Sequence, residues 1–139
     1  MFKSIFGTKL TKLPSDAEKR FAGKISKICK NPQDKKPFVM INLNKNNPKN
    51  SFNEEYGTKV FENLFPLVNS KIYAFGTPEN SKEWDKIALV RYQSEKTFCD
   101  MVFSQEYQEL APLKKDGLED SYTSMMNTIM SYQKDLIEN

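Results

Sequence analysis

The order in which strand-like and helix-like patterns follow one another constrains the fold of this chain more than any single motif. Residues 38–43 form a short, nearly continuous apolar run, which is typical of a strand covered on both faces. Apolar residues then recur at intervals of three and four from Tyr56 to Val68 and predict an amphipathic helix. Gly57 and Pro66 are expected to weaken and kink this helix.

The second half of the chain repeats this alternation. Residues 71–75 predict a second strand and residues 84–92 a third, and the polar loop between them suits an antiparallel hairpin. Ser94 is expected to cap the next helix, and Gly117 suits the C-terminal end of that helix. Residues 118–125 then predict a fourth strand.

One further helix is predicted on each side of this core. The first covers residues 15–30 and the last covers residues 127–137. We therefore divide the chain into an N-terminal extension with a helix (residues 1–36), an α+β core (37–125) and a C-terminal helix (126–139).

Strand, helix, strand, strand, helix, strand is the order of a ferredoxin-like α+β domain. Right-handed crossovers place both core helices on one face of a four-stranded antiparallel sheet, so the core helices leave the other face free. Residues 38–43 are largely apolar on both sides, so the free face is expected to be apolar as well. A second copy of the chain, related by a twofold axis, is the simplest cover, and we expect a homodimer.

Composition excludes several kinds of chemistry. The 139 residues contain no histidine, which argues against His-ligated haem and against nucleophiles activated by histidine. We expect neither a metal nor a cofactor. Cys29 and Cys99 form no CxxC pair and are expected to be reduced, partly buried side chains rather than a disulfide or a metal site.

Charge and hydropathy argue against membrane and nucleic-acid partners. Lysines interrupt every apolar run in residues 1–14, so a signal-peptide core is missing, and no stretch approaches the roughly 20 apolar residues of a membrane span. We therefore expect a cytoplasmic protein. The net charge of +3 comes from 21 basic and 18 acidic residues that are mixed along the chain, which does not favour nucleic-acid binding.

Residues in the second half of the chain also carry a resemblance to a known family. They are Trp84, Asp85, residues 87–92, Ser94, Phe98, Met101, residues 106–108, Pro112 and residues 117–121. Over residues 36–125 the chain resembles an uncharacterised bacterial family of the dimeric α/β-barrel superfamily. The resemblance implies two subunits packed sheet to sheet, with an apolar cavity between each sheet and its helices or at the barrel centre. The superfamily includes haem enzymes, cofactor-free monooxygenases and small-ring isomerases, so the fold leaves the function open.

Arg91 is the first candidate for a ligand site, because strand alternation places it with Ile87 and Leu89 on one face. If that face lines a cavity, the guanidinium could hold a carboxylate or an enolate. The alternative is a strand-end residue that pairs with Glu119 or Asp120 in the dimer. Four polar side chains are candidate neighbours in a ligand site: Asn42, Tyr73, Asp120 and Tyr122.

No catalytic motif names a reaction, so several functions stay open. The first is a homodimer that binds or transforms a small organic molecule in an apolar cavity, without a metal. The second is an RNA-binding module, because RNA recognition motifs share this element order, although residues 85–87 lack the basic-glycine-aromatic opening of that motif. The third is a structural or partner-binding protein with no small-molecule ligand.

Overall fold

The computed structural model describes residues 16–126. Its helices and strands follow the predicted order. They are α1 (Asp16–Cys29), β1 (Phe38–Asn46), α2 (Phe52–Lys59), a π-helical turn (Val60–Leu64), α3 (Phe65–Val68), β2 (Lys71–Gly76), β3 (Lys86–Tyr92), α4 (Glu95–Val102), α5 (Gln105–Gly117) and β4 (Leu118–Met126). The predicted closing helix, residues 127–137, lies outside the described residues.

The four strands form one open antiparallel sheet in the order β2-β3-β1-β4. Central β1 pairs with β3 on one side and β4 on the other, so that Met40 lies opposite both Val90 and Met125. This order is the ferredoxin-like α+β arrangement, and the predicted fold is confirmed. Across residues 16–126, no helix has the length and apolar character needed to cross a bilayer.

Aromatic side chains fill the core between the sheet and the helices. Tyr92 on β3 stacks on Phe38 of β1, with ring centroids 5.5 Å apart, and Phe98 of α4 meets the Tyr92 ring edge-on at 4.9 Å. Tyr107 of α5 is also buried in this cluster. Opposed residues of paired strands share a face, so the register fixes which side chains enter the core.

The predicted helix over residues 56–68 is present but interrupted, as Gly57 and Pro66 led us to expect. The π-helical turn separates α2 from α3, and Pro66 lies in the first turn of α3. Proline lacks an N–H and its ring displaces the carbonyl of the preceding turn, which is compatible with a locally widened helix just before it.

The cysteines correct an expectation. Cys29 at the end of α1 and Cys99 in α4 are joined in a disulfide, with 5.8 Å between their Cα atoms, so the prediction of reduced thiols is wrong. The two residues are 70 positions apart, and their spacing in sequence gave no sign that α1 packs against α4. The disulfide fastens the helix of the N-terminal extension to the core.

Candidate ligand cavity

A cavity of about 460 Å³ lies between the sheet and the segment formed by α2, the π-helical turn and α3. The sheet contributes Met40, Ala88 and Val90 to its wall, and the helical segment contributes Val60 and Phe65. This volume falls within the range of sites for small organic ligands, and such sites usually combine apolar walls with a few polar groups.

Two tyrosines supply hydroxyl groups to the cavity. The Tyr56 hydroxyl donates a hydrogen bond to the Tyr107 hydroxyl at 3.1 Å, and both residues line the cavity. Burial is the largest cause that raises the pKa of each phenol, and the neighbouring Tyr107 raises the pKa of Tyr56 further. Both hydroxyls therefore keep their protons throughout the physiological pH range.

Lys114, near the end of α5, brings an ammonium group to the same cavity. Its Nζ lies 3.5 Å from the ring centroid of Phe21 and 5.8 Å from that of Tyr56. Within residues 16–126, neither a hydrogen-bond acceptor nor a carboxylate is bound to this nitrogen. Burial lowers the pKa of Lys114 to about 7, because the charged form loses water without gaining a counter-ion.

The other charged groups that line the cavity differ from Lys114 in their contacts. Lys86 Nζ donates to Thr77 Oγ1 at 2.8 Å and faces the Phe75 ring at 5.7 Å. Glu54 also lines the cavity, but no ion pair joins it to either lysine in the described part of the chain. The lining therefore carries two basic groups and one acidic group.

Of the residues predicted for a ligand site, Asn42 lines this cavity. Its Nδ2 donates to the carbonyl oxygens of Met40 at 3.3 Å and Ala88 at 3.5 Å. Arg91 lies on the opposite face of the sheet, because it directly follows Val90, which lines the cavity, and neighbouring strand residues point to opposite faces. The structure therefore does not bring Asn42 and Arg91 to one site.

Arg91 is nonetheless buried, with 6% of the residue exposed. Its Nε has no hydrogen-bond partner among residues 16–126. Tyr73, another predicted candidate, lies in β2 between Ile72 and Ala74, where the register with β3 shifts. The irregularity removes Tyr73 from simple alternation along its strand.

The remaining two predicted candidates, Asp120 and Tyr122, lie where α1 meets the edge strand β4. Arg20 donates to Asp120 at 2.5 Å, and the ammonium of Lys24 lies 5.5 Å from the Tyr122 ring. Arg20, Lys24 and Tyr122 line a smaller cleft of about 220 Å³, and Asp120 is not among its lining residues. Asp120 thus has a partner in its own chain, as does Glu119, which pairs with Lys45 at 3.7 Å.

Lys114 was not singled out from the sequence, although a signal for it exists. Tyr107, Ala111 and Lys114 are spaced as successive positions on one face of a helix. The first two are buried in the core, so a lysine next in that row is expected to point toward apolar surroundings. A charged residue within a row of core positions is therefore the pattern that would have found this site.

The register also bears on the RNA-binding alternative. Phe38 and Tyr92, the aromatic residues of the central strands, face the helices and stack in the core. On the free face these two strands present Val39, Ile41, Leu43, Ile87, Leu89 and Arg91. RNA recognition motifs stack bases on aromatic side chains of these strands, and β1 and β3 offer none there.

Comparison with known proteins finds similar structures but no related sequence. No family model matches the sequence, and no curated protein matches it. Two structures of a protein of unknown function from Rhodopseudomonas palustris are similar to it. One has a TM-score of 0.61 and 18% identity over 78% of this chain and 93% of that chain. The other, of the methylated protein, has a TM-score of 0.65 and 17% identity over 80% and 93%.

A protein from Caulobacter crescentus CB15 with the provisional name antibiotic biosynthesis monooxygenase is also similar. Its structure has a TM-score of 0.53 and 12% identity over 70% of this chain and 93% of that chain. Sequence identities this low indicate a shared fold but not a shared activity. The chain thus shares its overall fold with these proteins.

Proposed function

We propose that the protein is a homodimer that binds or transforms a small organic molecule in the helix–sheet cavity, without a metal. One observation carries this proposal: an apolar cavity of about 460 Å³ is lined by an unpaired lysine and a tyrosine pair. Apolar walls open to water are unfavourable by roughly 25 cal/mol per Å². A ligand with an apolar body would remove this cost.

A filled-cavity variant tests the proposal. We expect members of a panel of small aliphatic and aromatic compounds to raise the melting temperature of the wild-type protein, and Ala88→Phe to abolish this effect by occupying the cavity. Leu67→Phe is the control, since Leu67 is 71% exposed and lies outside the cavity lining. Equal shifts for Ala88→Phe and the wild type, or no shift with any compound, would contradict the proposal.

The homodimer is supported by the face of the sheet that turns away from the described helices. Ile41, Leu43, Ile87 and Leu89 project from it, and none of them belongs to the core cluster. These four side chains are partly exposed in the single chain. Apolar side chains of this kind suit an interface, and a twofold axis lets one patch cover its own copy. Arg91 would then lie at the covered face and could bind a carboxylate there.

A cytoplasmic location stays a prediction, and the Cys29–Cys99 disulfide argues against it. Structural disulfides persist mainly in oxidising compartments, whereas glutathione and thioredoxin keep cytosolic thiols reduced. Alkylation of thiols in intact cells, followed by mass analysis, tests the point. Alkylated Cys29 and Cys99 would support the cytoplasm, and an unmodified pair that reacts only after reduction would exclude it.

A further inference from the structure

We propose that the ligand of the helix–sheet cavity is a small carboxylic acid whose carboxylate pairs with Lys114. This inference rests on the proposed function, since it names the chemical class of the molecule in that cavity. The acid would place an aliphatic or aromatic body against Met40, Val60 and Ala88, which line the same space.

The first argument is the missing counter-ion of Lys114. Its Nζ lies above the Phe21 ring, with 3.5 Å to the centroid. Among the described residues no carboxylate forms an ion pair with it. A ring face attracts a cation but replaces little of the lost hydration, and an unpaired charge in apolar surroundings is costly. An anion brought by the ligand would complete the site.

The second argument is charge complementarity across the lining. Lys86 and Lys114 outnumber the single acidic residue, Glu54, around the cavity. Lys86 already donates to Thr77 Oγ1 at 2.8 Å, whereas Lys114 has no hydrogen-bond acceptor among residues 16–126. Tyr56, Tyr92 and Tyr107 complete the titratable groups that line the cavity, and burial raises the pKa of each, so they remain neutral phenols.

Proton linkage gives this pairing a distinct signature. Burial alone lowers the pKa of Lys114 to about 7, so at about pH 8 much of the free protein carries a neutral amine. A carboxylate in contact with the amine favours the charged form and raises its pKa. Binding of an acid at this pH must therefore take up a proton, whereas binding of a neutral analogue need not.

Calorimetric titration of the whole protein tests the inference with matched pairs: octanoate against octanol, and 3-phenylpropionate against 3-phenylpropanol. At about pH 8, in buffers with different heats of ionisation, we expect at least one acid to bind about tenfold or more tightly than its alcohol, with proton uptake. Lys114→Met is expected to bind acid and alcohol equally and without uptake. Lys115→Met, which removes the neighbouring lysine of α5 that lies outside the cavity lining, should keep the preference.

The outcomes distinguish failure of the carboxylic-acid inference from failure of the proposed function. Alcohols that bind the wild type as tightly as the acids, with no proton uptake, would overturn the carboxylic acid and leave the cavity proposal standing. Retention of the acid preference and of proton uptake in Lys114→Met, or their loss in Lys115→Met, would overturn the role of Lys114. If neither acids nor alcohols bind, the proposed function fails and the inference fails with it. Proton uptake by the wild type is informative even if a variant does not fold.

Discussion

The amine of Lys114 lies near the rings of Phe21 and Tyr56. Folding removes water from this amine, which disfavours its charged form and lowers its pKa. The unfolded chain keeps this amine protonated up to a pKa near 10.5, whereas the folded chain releases the proton near pH 7. Between these two values the unfolded state binds more protons, so the contribution of Lys114 to stability becomes more favourable as pH rises. Below pH 7 the native state must hold a poorly solvated charge.

Replacement of Lys114 by methionine should therefore stabilise the protein most at low pH. We expect Lys114→Met to raise the free energy of unfolding by about 1–3 kcal/mol at about pH 6, and the gain should shrink as pH rises toward 10. Urea unfolding of both proteins at three pH values measures this difference, with Lys115→Met as the control. The same gain at every pH would show that desolvation of the amine is not its cause.

Gly117 is a second residue whose role depends on its surroundings. From the sequence it suited a left-handed helix cap, but in the structure its backbone does not adopt a positive φ. A Cβ at this position would lie 2.9 Å from Asn53 Cα and nearer still to Asn53 N. The residue is therefore required by the close approach of α5 to the start of α2.

Gly117→Ala is expected to lower the free energy of unfolding by about 1–3 kcal/mol, because backbone rather than a flexible side chain must move. Gly23→Ala is the matched control: Gly23 lies inside α1 with nothing within 4 Å of its added Cβ, and the substitution should stabilise by roughly 0.5–1 kcal/mol. Chemical denaturation of the wild type and the two variants measures both changes in the free energy of unfolding, which are expected to have opposite signs. A neutral Gly117→Ala would mean that the two helices separate easily.

Helices and strands differ in how well the sequence predicted them. Periodicity identified the elements because each buries one side against the core, as in α5, where Tyr107 and Ala111 recur on the buried face. It failed at the end of β1, because the predicted strand ended at residue 43 whereas β1 continues to Asn46. Asparagine and lysine favour loops, yet Asn44 is paired with both Lys86 and Ser121, and pairing on both sides overrides local preference.

Contacts between elements were the least predictable part. The α1–α4 disulfide depends on two helices that are distant in sequence, and no pattern within either helix indicates its neighbour. The candidate site has the same limitation. Strand alternation correctly placed Arg91 and Leu89 on one face, but it could not show that the cavity lies on the other face, beside Lys114 of α5.

The disulfide joins α1 to α4 and is expected to stabilise the folded state. It links residues 70 positions apart, and closing a loop of that size typically stabilises the folded state by about 2–4 kcal/mol, mainly by restricting the unfolded chain. We expect the double variant Cys29→Ser, Cys99→Ser to lose about this much in guanidinium unfolding. The wild type treated with a reductant should lose a similar amount, and full stability after reduction would contradict the prediction.

Over the whole molecule, the sheet face that turns away from the described helices carries the proposed dimer interface. Leu89 lies near the middle of that face, opposite Ile41 on β1. We expect the wild type to sediment as a dimer and Leu89→Lys to sediment as a monomer, because a buried charge without a partner opposes association. Leu67→Lys, on exposed α3, should remain dimeric. A wild type that is monomeric at every concentration would rule out the homodimer.

Phe21 belongs to α1, outside the strand–helix–strand core, yet its ring lies directly beneath the amine of Lys114. A shortened chain that began at residue 37 would retain all four strands but would expose that amine to bulk water. Such a fragment is expected to keep the architecture while its lysine behaves like one on an ordinary surface. The N-terminal helix therefore contributes to the wall of the cavity as well as to the hydrophobic core.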